Sequence, residues 1–127
     1  MSVVLDSSAV LAALRKEAGA DVVRDLVSDA RVSAVNLAEI VAVLARSNEA
    51  ERVMEIIREV GLNVSPADDA MAIDAGLLSS LTAPVGLSLG DRFCLALARH
   101  LSLPVVTADR AWLQVADAVA VEVRLIR

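Results

Sequence analysis

The chain has 127 residues, enough for one domain around one hydrophobic core and too few for two ordinary domains. Hydrophobic residues make up 57% and charged residues 23%, which excludes disorder, while aromatics at 2% leave an aliphatic core and no platform for stacking bases. The net charge of −5 excludes a protein that holds nucleic acid by general phosphate neutralisation, so a nucleic-acid ligand would have to rely on local arginines and bound cations.

Strands and helices alternate along the chain. Residues 3–6 read as a first strand, followed by helical patterns over 8–17 and 19–29. A second strand over 31–34 leads to helices over 37–46 and 49–60, and a third over 62–65 leads to helices over 68–81 and 89–100. A fourth strand over 104–107, a helix over 110–116 and a closing strand over 120–126 complete the chain. This alternation, without repeat or linker, predicts a single α/β domain over residues 1–127, with a central, mainly parallel sheet flanked by helices. No apolar run exceeds six residues, against the ~20 that cross a bilayer. The opening MSVVLDSS lacks the basic and apolar regions of a secretory signal, and Cys94, the single cysteine, has no partner for a disulfide. The expectation is a cytoplasmic protein with no membrane contact.

Two helices carry acids where a core should be. The segment 37–45, LAEIVAVLA, is apolar around its circumference apart from Glu39, and such a helix is expected to be buried. In 91–99, DRFCLALAR, Asp91 shares a face with Cys94, Leu95 and Ala98. Asp6 and Asp109 close strands and open helices. Read singly, each acid is a cap: Asp6 and Asp109 as N-caps, Glu39 and Asp91 as partners of Asn36 and Ser88 in capping boxes. Read together, all four fall where a strand has ended or a helix begun, which in a parallel sheet is the carboxyl edge where ligands bind. Buried or clustered carboxylates need neutralisation, and no lysine or histidine stands in these motifs. Oxygen-only ligands suit Mg²⁺ or Mn²⁺ rather than zinc, and point to hydrolysis of phosphodiesters by a metal-activated water. His100 reads as a helix-end residue that complements the dipole, and Cys94 as core.

The strings VVLDSSAVLA, SAVNLAEI, LSLGDRFCLALA and VVTADRAW resemble the successive motifs of the PIN-domain family. More narrowly they resemble its VapC-type toxins, in the family's order and through to the closing VEVRLIR. The resemblance implies a three-layer fold and Mg²⁺- or Mn²⁺-dependent endoribonuclease activity on RNA as the toxin of a type II pair. It also implies a homodimer, and a cognate antitoxin whose tail reaches the active site. It implies Asp6, Glu39, Asp91 and Asp109 as catalytic metal ligands, with Ser7 and Thr107 supporting them. Asp117 is a further acid of the kind some members carry near the site; alone it reads as a solvated residue near a helix end. Arg92 and Arg110 each follow a proposed ligand and are placed either to touch substrate phosphates or to face solvent.

Three other readings stand beside this one: a PIN domain that processes RNA outside any toxin pair, one reduced to protein binding, and a phosphoacceptor receiver module. The receiver requires an aspartate ending its third strand and a lysine late in the chain. Here the third strand ends Val64-Ser65-Pro66, and Lys16 lies in the first helix.

Overall fold

The computed structural model describes residues 2–127. Strands β1 (Val3–Leu5), β2 (Ala30–Ser33), β3 (Val64–Ser65), β4 (Val105–Thr107) and β5 (Val123–Leu125) form one sheet in the order β3-β2-β1-β4-β5. Every pairing is parallel. The central strands are apolar on both sides because helices cover both faces. Val3, Leu5 and Val106 enter one core, while Val4 and Val105 enter the other. The first core is closed by α1 (Ser7–Leu14), α2 (Ala20–Leu26), α3 (Ala34–Leu44) and α4 (Ala50–Val60). The second is closed by α5 (Asp69–Leu77), α6 (Ser79–Thr82), α7 (Leu89–Leu101) and α8 (Ala116–Val119), around a fully buried Trp112. The result is the expected three-layer α/β arrangement.

The strand order creates the crevice. From β1 the chain moves through α1 and α2 to β2 on one side; from β4 it moves to β5 on the other. Adjacent strands whose connections leave in opposite directions open a gap at their carboxyl ends, the switch point where parallel sheets take ligands. Asp6 follows β1 and Asp109 follows β4, so the two acids flank this gap. Helix α3 starts directly from the end of β2. Helix α7 runs back to the start of β4, so its first turn also lies at the carboxyl edge.

Several expected boundaries differ. Helix α3 begins at Ala34 rather than 37, capped by Ser33, whose Oγ accepts from the Val35 N–H at 3.2 Å. Asn36 is therefore inside the helix and caps nothing. Nor is α3 buried all round: Asn36, Ile40 and Leu44 face inward, while Ala38, Ala42 and Ala45 are exposed. Alanine counts as apolar yet presents so little surface that a line of alanines serves as a solvent face. The helix expected over 68–81 breaks into α5 and α6 at Leu78. That expected over 110–116 is a 3₁₀ turn, Arg110–Gln114, followed by α8. Ala120 ends α8 in the left-handed region, at φ 56°, which shortens the last strand to β5. Gly19, at φ 91°, lets α2 start against the residue that follows β5: a Cβ there would stand 2.5 Å from the Ile126 carbonyl oxygen.

Candidate active site

Asp6 is the buried member of the group, with 4% of its surface exposed. It occupies the N-cap position of α1, yet its carboxylate makes no capping bond. Instead Oδ2 accepts from Ser8 Oγ at 2.7 Å and from Thr107 Oγ1 at 2.9 Å, which ties the end of β1 to the end of β4. Ser8 in turn accepts from the Ala108 N–H at 3.0 Å. Burial pushes the Asp6 carboxyl up to about 6, with the Asp91 charge adding to it and the hydrogen bonds from Ser8, Thr107 and the Ser7 backbone opposing it.

Glu39 reaches the site from the second turn of α3. Its Oε1 accepts from Ser7 Oγ at 2.7 Å and from Asn36 Nδ2 at 2.8 Å. Asn36 is fully buried, and the same Nδ2 also donates to the Gly90 carbonyl at 3.1 Å, while its Oδ1 has no partner among the described residues. A buried orphan acceptor of this kind costs about 1–3 kcal/mol. Gly90 leaves room for the Glu39 carboxyl group: a Cβ there would overlap all three of its atoms.

Asp91, one residue on, completes the expected capping box. Its Oδ2 accepts from the Ser88 N–H at 2.9 Å, and Ser88 Oγ accepts from the Asp91 N–H at 3.2 Å. Its carboxyl is nevertheless raised, first by burial and then by the Glu39 and Asp109 charges, against the bonds with Ser88. Asp109 caps the 3₁₀ turn through Oδ1, which accepts from the Ala111 N–H at 2.9 Å, and its own N–H donates to Thr107 Oγ1 at 3.1 Å. Beneath them the Cys94 thiol is also pushed up, by burial and by the charges of Asp6, Asp91 and Glu39. Asp91 is thus the acid that links the group, acting on Asp6 and acted on by Glu39 and Asp109, and among the described residues no ion pair includes any of the four.

The remaining sequence candidates divide. Ser7 Oγ donates to Glu39 and Thr107 Oγ1 to Asp6. Asp117 is exposed in α8, and its charge is not among those that raise Asp6 or Asp91. The Arg92 guanidinium donates to the Ala75 carbonyl on α5 at 3.1 Å, and that of Arg110 to the Arg127 carbonyl at 3.1 Å, so both are engaged in holding the fold. Sequence reasoning missed Ser8, and it placed Asn36 at a cap and passed over Gly90. The run DSS and the polar Asn36 in an otherwise apolar stretch were the available signals. The hollow between α5, α6 and the end of α7, lined by Asp74, Leu77, Leu81, Arg99 and His100, shares no residue with the acid cluster.

The PIN-domain family model matches residues 3–118, spanning all four acids. The chain belongs to the PIN-domain family. Solved structures agree on the fold. The DNA-bound VapBC of Salmonella typhimurium is 19% identical with a TM-score of 0.78, over 100% of this chain and 99% of that one. FitAcB of Neisseria gonorrhoeae is 23% identical with a TM-score of 0.71, over 97% and 96%. VapBC-5 of Mycobacterium tuberculosis, a member of the VapBC family of toxin–antitoxin systems, is 24% identical with a TM-score of 0.64, over 99% and 98%. No sequence match was found among curated proteins.

PIN domains are generally divalent-metal-dependent nucleases, and the donor set of this PIN domain fits such an ion. Its donors are oxygens only, and among the described residues the carboxylates have no cationic partner. No three acidic, histidine or cysteine side chains among the described residues form a ready-made cage. Two of the four carboxylates, Asp91 and Asp109, have an oxygen in a cap, which leaves their other oxygens for a ligand.

Proposed function

We propose that this PIN domain is a Mg²⁺- or Mn²⁺-dependent endoribonuclease, the toxin of a type II toxin–antitoxin pair, with Asp6, Glu39, Asp91 and Asp109 as its catalytic acids. The observation that carries the reading is the uncompensated charge at the switch point. A buried Asp6, raised to about 6, feels the charge of Asp91, and Asp91 that of Glu39 and Asp109, while among the described residues no basic side chain is paired to any of them. Folding tolerates such a cluster when a ligand of opposite charge completes it. A bound divalent cation would supply Lewis acidity to the phosphate and a lowered pKa to an attacking water.

The protein's own groups do the rest. Ser8 and Thr107 fix Asp6 by two hydroxyl bonds to one oxygen, leaving the other for ligation. Ser7 and Asn36 do the same for Glu39. With a net charge of −5, affinity for an RNA backbone comes through the cation and local contacts, not from a basic face.

The toxin assignment, and with it a cognate antitoxin, is supported by likeness to structures described as VapBC toxin–antitoxin systems. A homodimer is supported by exposed apolar residues one turn apart on α5, Ile73 at 62% and Leu77 at 69% exposure. No helix among the described residues is long and apolar enough to cross a membrane, and a cytoplasmic site of action belongs to the same reading.

Purified protein should cleave single-stranded or loop RNA with Mg²⁺ or Mn²⁺ and stop when EDTA is added. Undiminished cleavage in excess chelator would sink the mechanism. Expression without an antitoxin should arrest growth, and Asp6→Asn should relieve the arrest. A monomer that is harmless on overexpression would instead favour an RNA-processing nuclease.

A further inference from the structure

Two features act on one carboxylate and neither is a metal ligand. Asn36, wholly buried, donates from a single nitrogen to Glu39 Oε1 at 2.8 Å and to the Gly90 carbonyl at 3.1 Å, bridging α3 to α7. Gly90 has no room for a Cβ because the Glu39 carboxyl group occupies that space. Ser7 Oγ adds a second bond to the same Oε1, and among the described residues Oε2 receives none.

We propose that Asn36 and Gly90 form a positioning clamp that presses the Glu39 carboxylate onto the first turn of α7, with Oε1 saturated and Oε2 directed to the cation. The inference rests on the metal-site reading above and names what holds one of its ligands.

The orientation of Asn36 follows from its partners. Turning the amide over would set its oxygen against two acceptors, Glu39 Oε1 and the Gly90 carbonyl, so the nitrogen must face them and Oδ1 is left without a donor. Each buried unsatisfied group calls for a reason. The Gly90 carbonyl lies in the first turn of α7, where the helix already supplies it with a donor four residues on. Stability therefore gains little from Asn36, whereas Glu39 loses one of the two bonds to Oε1 without it. A purely structural asparagine would show the opposite balance. Gly90 makes the same point by its absent side chain. Gly90 stands in the first turn of α7 with no left-handed backbone to keep alanine out, and what a Cβ would collide with is a side-chain end rather than backbone.

The test uses the full chain and Mn²⁺ alone. Wild type, Asn36→Leu, Gly90→Ala and Glu39→Gln are compared for melting temperature without metal, for Mn²⁺ affinity by calorimetry, and by crystal structure. Asn36→Leu and Gly90→Ala should melt no lower than wild type without metal, yet bind Mn²⁺ roughly 10–100-fold more weakly, the range for loss of a group that orients a ligand. In the Glu39→Gln background, Asn36→Leu should weaken Mn²⁺ no further, because both changes act through one carboxylate. In both single-variant structures the Glu39 carboxyl should leave its wild-type place. Unchanged Mn²⁺ affinity, or a Glu39 carboxyl that stays in place in both, would overturn the clamp. Wild type that binds no Mn²⁺ would count against the metal site instead, and the position of Glu39 in the variant structures would still decide the clamp.

Discussion

Asp6 shows how a carboxylate at a helix start departs from the capping role its position suggests. Its N-cap position is empty of a capping bond, and its oxygen joins two strand ends through Ser8 and Thr107. The consequence is measurable without any substrate. The Asp6 carboxyl is raised from 3.8 to about 6, so the folded protein holds this proton more tightly than the unfolded chain. Its contribution to stability is fully present below about pH 4 and is lost as pH rises through about 6, a loss of about 3 kcal/mol. Asp91, also raised, acts in the same direction. Asparagine can keep its Oδ1 toward both hydroxyls, so Asp6→Asn should remove much of this slope. Denaturant titrations of metal-free protein from pH 4.5 to 7.5 should show wild type losing stability relative to the variant. Parallel curves would mean that Asp6 is solvated and its charge compensated.

At the scale of elements, caps and supports separate cleanly. The box at the start of α7 was legible because Ser88 and Asp91 have the right types at the right spacing, and the structure forms both of its bonds. The box at Asn36 and Glu39 had equally good spacing, but β2 ends at Ser33 and α3 begins at once, so Asn36 falls inside the helix. Spacing cannot say which of two nearby polar residues meets the strand end, since that depends on where the sheet releases the chain. Ser88→Ala and Ser33→Ala should each lower stability by about 1 kcal/mol, the usual worth of an N-cap, with little effect on cleavage. Ser7→Ala, by contrast, should leave stability nearly unchanged while slowing cleavage about tenfold, because its hydroxyl holds Glu39. Equal effects of Ser7 and Ser88 on cleavage would show that the hydroxyl beside Glu39 is ordinary.

For the whole molecule, the parallel α/β class was legible from alternation alone, because strands apolar on both faces demand helices on both sides. The strand order β3-β2-β1-β4-β5 was not, since nothing local states which strands become neighbours. That order decides the site: it brings Asp6 and Asp109 to either side of one gap, though they stand 103 positions apart in the chain. Gly19 was also silent in the sequence, because its need for a missing side chain arises only where Ile126, just past β5, packs against it. Gly19→Ala places a side chain at φ 91° and against the Ile126 carbonyl, and should cost about 1–3 kcal/mol in a thermal melt while leaving metal affinity unchanged. A neutral Gly19→Ala would mean that Ile126 packs loosely against the start of α2.

On the proposed reading, four acids, each able to pass for a cap, together form a charged ligand site. Asn replaces Asp as a cap with little loss, and Gln can stand for Glu, so charge can be removed while the local bonds are kept. The decisive measurement is RNA cleavage together with the Mn²⁺-induced rise in melting temperature for Asp6→Asn, Glu39→Gln, Asp91→Asn and Asp109→Asn. Each variant should melt as high as wild type or higher without metal, gain less on adding Mn²⁺, and cleave no RNA. Full cleavage in two or more of the four would contradict the account.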